Sequence, residues 1–350
     1  MEIKTFSTTD LPRVFEFYAH AFGADLERKK QAFEWIQAGN PFLVPELNYV
    51  LMVDGDQLVG YWGRMPMQLY ALGKPFLSVF SQEALVNPAY RGQGVASKLL
   101  AEVNGSEHLL VSLWHNEKIV SILRKGGWRR IDIFRPQKKI FKLDKLVRRR
   151  IGVPLVRQVV TGAGAVYLRL KGLGRGPSRD YSIRTVSRFG PEYDDFFRSV
   201  ASSLGIIADR GSATLNWKYI DIPHRSYSVL AATKESRLRG YVVYRIHEVE
   251  DGIRKATIVD LLADPRDPAA LAALVATCDR AFREEQADFS VCQVSTPAFR
   301  RILARQGYYQ GGNVDINSLW IHHGERCPEA NLETLDRWYF TFGDSDGEMW

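Results

Sequence analysis

Cysteine is scarce in this chain: Cys278, Cys292 and Cys327 are the only three in 350 residues, and no two form a Cys-x-x-Cys pair. That spacing supplies neither a zinc ligand set nor a disulfide framework, so no metal and a reducing, cytoplasmic setting are expected. Long apolar runs are lacking too. The most membrane-like window, 151–170, is broken by Arg157, Gln158 and Arg169, and no transmembrane helix is expected. The opening Met1-Glu2-Ile3-Lys4-Thr5-Phe6 joins no basic stretch to an apolar one, so no signal peptide is expected. The one glycine turn that stands out, at 92–94, lacks the Gly-Lys-Ser/Thr ending of a P-loop. It also lacks the third glycine and downstream acid of a dinucleotide fingerprint.

What is present is an ordinary globular composition, 45% hydrophobic and 25% charged, at a length that suits two domains. The net charge of +7 is local. Between Lys138 and Arg175 eleven basic side chains stand against Asp144 alone, so the remainder of the chain is slightly acidic. The same segment is rich in glycine (Gly162, Gly164, Gly172, Gly174, Gly176) and reads as a connector, helical in its first part. Its charge suits either a solvated helix face or attraction to an anionic surface or a nucleotide-linked substrate. No nucleic-acid-binding module accompanies it, which argues against that partner.

The stretch that dictates a chemistry is Val86-Asn87-Pro88-Ala89-Tyr90-Arg91-Gly92-Gln93-Gly94-Val95-Ala96. An apolar strand precedes it from Val79, and Val95, Leu99, Leu100 and Val103 follow at helical spacing. A strand, a glycine turn and a helix start aim several backbone N–H groups and the positive end of a helix dipole at one point. Gly92 and Gly94 remove the Cβ atoms that would hold an anion off those amides. The pattern Arg91-Gly92-Gln93-Gly94-Val95-Ala96 resembles the acetyl-CoA-binding motif of the GNAT superfamily of N-acetyltransferases. The resemblance implies a mixed, mostly antiparallel central sheet flanked by helices, an α/β (α+β) fold, with acetyl-CoA as co-substrate and a small-molecule amine as acceptor.

Along the chain, Thr8-Thr9-Asp10-Leu11-Pro12 starts a helix whose apolar face is Val14, Phe15, Phe17, Tyr18 and Phe22. A second helical run, 26–37, ends at Gly39-Asn40-Pro41. Residues 49–53 and 58–64 around Asp54-Gly55-Asp56 read as a hairpin. Another strand and turn are expected over 65–77, a buried strand over 108–113, and a helix over 119–124 closing at Gly126-Gly127-Trp128. The second half then repeats the first. Trp35 and Pro41 correspond to Trp217 and Pro223, Leu58-Val59-Gly60-Tyr61 to Leu238-Arg239-Gly240-Tyr241, and Leu123 through Trp128 to Leu303 through Tyr308, at offsets of 180 to 182. Two GNAT-like domains in tandem are therefore expected: 1–143, which binds acetyl-CoA; the basic connector 144–179; a degenerate copy at 180–323; and an aromatic tail at 324–350 laid on the core, or alternatively lining a pocket with Asp344 and Asp346. In the second copy Asp264-Pro265 stands for Asn87-Pro88, but Pro268 replaces the motif arginine and no glycine remains. Only the first copy is expected to hold a pyrophosphate.

By the same resemblance, Ala84, Leu85 and Val86 would face pantetheine, the amides from Arg91 to Ala96 would hold the pyrophosphate, and Asn116 would contact the pantetheine arm. The family's usual tyrosine acid falls on Leu123, which has no proton to give. Tyr90, His115 or water would have to serve, or the domain would bind CoA without turnover. Glu83, on the motif strand, is the first choice for the base and His115 the second. The reading is an acyl-CoA-dependent N-acetyltransferase acting on a primary amine, with an aminosugar or nucleotide-sugar of cell-surface polysaccharide synthesis as first acceptor. The alternatives are a non-catalytic CoA-binding scaffold and a tandem enzyme taking aminoacyl groups from tRNA; the intact CoA turn argues against the latter donor.

Overall fold

The computed structural model describes residues 1–22, 25–113, 117–133, 135–148, 180–310, 318–327 and 332–344. In the first half β1 (Glu2–Thr5) leads into α1 (Leu11–Phe22) and α2 (Leu26–Gly39), then β2 (Val50–Asp54), β3 (Gln57–Ala71) and β4 (Lys74–Val86). The glycine turn connects to α3 (Val95–Asn104), followed by β5 (Leu109–Ser112), α4 (Glu117–Lys125), β6 (Arg129–Ile133), β7 (Gln137–Ile140) and α5 (Asp144–Arg148). The second half runs β8 (Ser182–Thr185), α6 (Pro191–Ala201), β9 (Ile206–Ala208), α7 (Ser212–Tyr219), β10 (Ser228–Lys234), β11 (Arg237–Val249) and β12 (Ile253–Ala263). It closes with α8 (Pro268–Glu284), β13 (Phe289–Cys292), α9 (Pro297–Arg305), β14 (Tyr309–Gln310), β15 (Ser318–His322) and β16 (Trp338–Tyr339).

Two mixed, mostly antiparallel sheets result, as the resemblance implied. The first has the order β1-β2-β3-β4-β5-β15-β6, the second β8-β10-β11-β12-β13-β7-β14. Along these paths the orders match strand for strand, and β9 and β16 of the second half extend the first sheet, β9 on β3 and β16 parallel on β9. Each path holds one parallel pair at the same place, β4 with β5 and β12 with β13. Each path also holds one strand lent by the other half: β15 lies between β5 and β6, and β7 lies between β13 and β14. The halves thus exchange strands. The exchange carries side chains into the partner core, where Lys139 of β7 pairs with Asp279 of α8 and donates to the carbonyl of Gln306.

One expectation is corrected. Residues 57–71 form a single strand instead of a hairpin arm ending at Arg64 and a separate strand; Pro66 sits inside it, opposite Val79. Its carbonyl still accepts a hydrogen bond, 3.0 Å from Asn40 Nδ2, and its missing N–H costs only one ladder position.

The halves meet at the repeated tryptophan. Trp35 and Trp217 stack with ring centroids 4.8 Å apart, and Trp35 Nε1 donates to the Trp217 carbonyl at 3.0 Å. On the first sheet, α3 and α4 cover one face through Val95, Leu99, Leu100, Val103 and Leu123. The helices α1 and α2 cover the opposite face through Val14, Phe17, Tyr18 and Phe33. Among the described residues no helix is long and apolar enough to cross a membrane, and no group of three or more His, Cys, Asp or Glu could hold a metal ion.

Candidate functional site

The β4–β5 ladder ends at Ser81 opposite Ser112, although β4 runs on to Val86. β5 ends at that pair, and beyond it the edge of β4 carries no ladder partner on this side among the described residues. A register shift lies at the same place on the other edge: Trp62 pairs with Ala84 but Arg64 with Ser81, so Gln82 and Glu83 oppose Gly63 alone. A bulge of this kind re-aims the side chains that follow it. Ala84 and Val86 therefore pack toward α3, and Leu85 toward α1.

The turn that follows has the geometry of an anion cradle. Asn87 caps its short opening helix by accepting from the Ala89 N–H at 3.0 Å. Gly92 and Gly94 have φ of 80° and 76°, and an added Cβ would meet nothing within 4 Å at either. Glycine is required here by the left-handed backbone, and the space a side chain would fill opens outward. Gly94 is the N-cap of α3, so the first amides of that helix are directed into this opening.

A cavity of about 450 Å³ begins at the turn and follows β4. Ala84, Leu85, Val86, Arg91, Gly92, Gly94, Val95 and Ala96 all line it, together with Tyr90, Ser97, and Lys118 and Ile122 of α4. Gln93 does not; its side chain donates to the Ala89 carbonyl at 3.2 Å. Asn116 and His115 lie outside the described residues. Sequence reasoning missed Ser97 and Lys118, a hydroxyl and a cation beside the anion cradle. Their signal is position alone, one turn into α3 and at the start of α4.

The other candidates are placed as follows. Leu123 is fully buried in the core beneath α3 and α4. Tyr90 lines the cavity, but its hydroxyl donates to Asp54 at 3.2 Å. Desolvation and that carboxylate push its phenol above the ordinary value, which disfavours its release of a proton to solvent near neutral pH. Glu83 faces α1 and α2. It is ion-paired to Lys29 at 2.9 Å and accepts from the Tyr61 hydroxyl at 2.8 Å. Tyr61 stays a donor, because burial and then its neighbours Tyr18 and Glu83 drive its pKa far up.

A second cavity, about 420 Å³, lies on the α1 side of the same strand end. It shares Leu85, Val86 and Arg91 with the first, so the two flank one short piece of backbone. Its wall from α1 carries Arg13, Glu16 and His20; Arg13 also pairs with Asp56 at 3.1 Å. Glu16 and His20 are four apart and thus share a helix face, a signal present in the sequence on the side of α1 opposite its apolar stripe.

The second copy has replaced the cradle. Asp264 pairs with Arg266, 2.9 Å from its Nε, and Asp267 stands at the N-cap position of α8, whose first residue is Pro268, and accepts from the Tyr181 hydroxyl at 2.5 Å. Carboxylates of the chain stand where an anionic ligand would approach a helix start.

Comparison with known proteins follows the same lines. Residues 2–130 match the family model described as an acetyltransferase (GNAT) domain. No curated protein matches the chain. Among solved structures, a conserved protein of unknown function from Enterococcus faecalis V583, described as a probable N-acyltransferase, is 13% identical with a TM-score of 0.63, over 93% of this chain and 73% of that one. A GCN5-related N-acetyltransferase from Anabaena variabilis is 14% identical with a TM-score of 0.62, over 91% and 72%. Saccharomyces cerevisiae N-myristoyltransferase with bound myristoyl-CoA is 12% identical with a TM-score of 0.57, over 92% and 82%. At these identities the likeness is one of fold.

Proposed function

Because residues 2–130 match the model of an acetyltransferase (GNAT) domain, we propose that the protein is an acyl-CoA-dependent N-acyltransferase moving an acetyl group from acetyl-CoA to a primary amine. The observation that carries this reading is the positive-φ glycine turn opening into a cavity along the unladdered end of β4. Amides of residues 92–96, with Arg91 and Lys118, would bind the pyrophosphate, and backbone groups of residues 84–86 would take the pantetheine. An amine entering from the α1 cavity would reach the thioester across the same backbone. Its nitrogen attacks the carbonyl carbon, the C–S bond breaks, and the thiolate takes up a proton. A backbone N–H at residues 84–86 would steady the developing oxyanion.

Glu83 is the proposed acceptor of the amine proton, directly or through water, with His115 as second choice. In this reading residues 1–143 hold the donor, 144–179 connect, 180–323 are an eroded copy and 324–350 a tail, the two copies sharing strands. The acceptor we favour is an aminosugar or nucleotide-sugar of cell-surface polysaccharide synthesis, and the basic connector would draw the nucleotide-linked form.

Incubation with labelled acetyl-CoA and an amine library is expected to label at least one amine. Glu83→Gln is expected to lower that rate by about 10²-fold or more and to remove the dependence of the rate on its ionisation. An unchanged rate and pH profile would show that the base lies elsewhere. Burial of Leu123 favours one second reading, a CoA-binding scaffold, for which CoA binds and no amine is labelled.

A further inference from the structure

The second copy has kept the acid of the first. Asp260 follows Glu83 by the same 177 positions that separate Pro265 from Pro88, and both acids stand at a register shift with the preceding strand. Asp260 accepts from the Tyr241 hydroxyl at 3.1 Å as Glu83 does from Tyr61. Arg210, just ahead of α7, faces Asp260 at 3.3 Å as Lys29 of α2 faces Glu83. The copies differ in access. Side-chain exposure is 10% and 19% for Lys29 and Glu83, but 2% and 1% for Arg210 and Asp260.

The C-terminal segment makes that difference. The β12–β13 ladder stops at Ile258 opposite Cys292 while β12 runs on to Ala263, so β12 outruns its parallel partner as β4 does, and a gap opens beside its end. Thr341 bridges to Val294 in that gap. Ser295 N–H donates to the Phe340 carbonyl at 3.0 Å, and Phe340 N–H to Ser295 Oγ at 2.8 Å. The Tyr339 hydroxyl donates to the carbonyl of Leu261, the counterpart of Ala84. Arg210 lies over the Tyr339 ring, 5.1 Å from its centroid.

The segment carries a carboxylate at Asp344. Asp344 accepts from Arg210 Nη2 at 2.6 Å and from its own Thr341 N–H at 2.9 Å. Lys218 is buried nearby; burial lowers its pKa and Asp344 opposes that shift. Arg210 thus lies between two carboxylates, Asp260 and Asp344. The fit leaves no slack: a Cβ on Gly343 would lie 2.0 Å from the Tyr219 hydroxyl.

We infer that residues 338–344 are a resident peptide ligand of the second domain's cleft, filling the gap beside the end of β12 and anchored through the Asp344 carboxylate on Arg210. The site is a carboxylate-binding pocket occupied in cis, the closed counterpart of the opening beside Glu83. It goes beyond the acyl transfer proposed above and does not depend on it.

Chemical rescue tests it on the full chain. Asp344→Gly is expected to lower Tm by about 5 °C or more and to recover at least half of that loss, saturably, in sodium acetate but not in sodium chloride of equal ionic strength. Asp344→Asn, which leaves no room for an added carboxylate, is expected to lose stability without acetate rescue. Wild-type stability in both variants, or equal responses to acetate and chloride in Asp344→Gly, would overturn the proposal. Should Asp344→Gly not fold, an Asp344→Asn protein with wild-type Tm would overturn it equally, and a lowered Tm would support it.

Discussion

Gly94→Val is expected to weaken acetyl-CoA binding by about 100-fold or more while leaving a folded protein. Gly94 sits at φ 76° at the N-cap of α3 with open space where a side chain would project. A β-branched residue in that conformation costs roughly 1–2 kcal/mol, a tolerable loss for a chain of this size. The larger effect falls on the ligand. A valine there would stand between the anion and the first amides of α3. Each hydrogen bond to a charged group is worth about 1.5–3 kcal/mol, so losing two corresponds to about 10² to 10⁴ in Kd. Isothermal calorimetry checks the affinity and a thermal melt checks the fold. A folded Gly94→Val protein with wild-type affinity would show that the turn does not hold the pyrophosphate. Arg91→Glu combined with Gly94→Trp is a harsher version, and undiminished affinity there would exclude the turn in the same way.

Lys139→Met is expected to destabilise the protein by about 3–5 kcal/mol, the usual cost of removing one partner from a buried ion pair. At this chain length that is a fall in Tm of roughly 4–7 °C. Lys139 arrives on the lent strand β7, and its side chain and that of Asp279 are 13% and 4% exposed. The Tyr308 hydroxyl also donates to Asp279, at 3.1 Å. Burial raises the Asp279 pKa above its ordinary value even against the pull of Lys139 and Tyr308. A carboxyl with a raised folded pKa contributes stability that is present at low pH and is lost as pH rises through that pKa. Removing Lys139 raises it further, so the deficit of Lys139→Met grows as pH rises above the folded pKa of Asp279 in the wild-type protein, which itself lies above the ordinary carboxylate value. Lys139→Met with Asp279→Leu, which leaves no buried charge, is expected to recover most of the loss. A pH-independent deficit, or no recovery in the double variant, would mean that Lys139 acts through packing of its stem.

The features legible in the sequence are those that local geometry and internal comparison encode. Gly92 and Gly94 announce a backbone that only glycine adopts readily, and the structure gives both positive φ. Trp35 and Trp217 announce the repeat, and they stack on one another. The exchange of β7 and β15 is hidden because Gln137-Lys138-Lys139-Ile140 and Ser318-Leu319-Trp320-Ile321-His322 are short. Alternation along a strand tells which face is buried but not which strand lies alongside. Pro66 obscures the length of β3 for a related reason: it marks a lost N–H, and only the partner strand shows that the loss is tolerated. The pairing of Lys29 with Glu83 joins residues 54 positions apart, beyond the reach of any periodicity.

The exchange also sets an order of events at the ribosome. Ile133 of β6 waits for Ser318 of β15, and the gap between β5 and β6 cannot close before that strand emerges. At about 5–20 residues per second, synthesis of the intervening chain takes on the order of 10–40 s. Throughout that interval the first sheet presents unpaired edges, which are templates for pairing with other chains. The glycine turn and α3 are assembled from neighbours in sequence and need not wait. The nascent protein therefore has its anion cradle well before it has a finished sheet, and a ligand bound early at that turn would hold the first half together while the second is made.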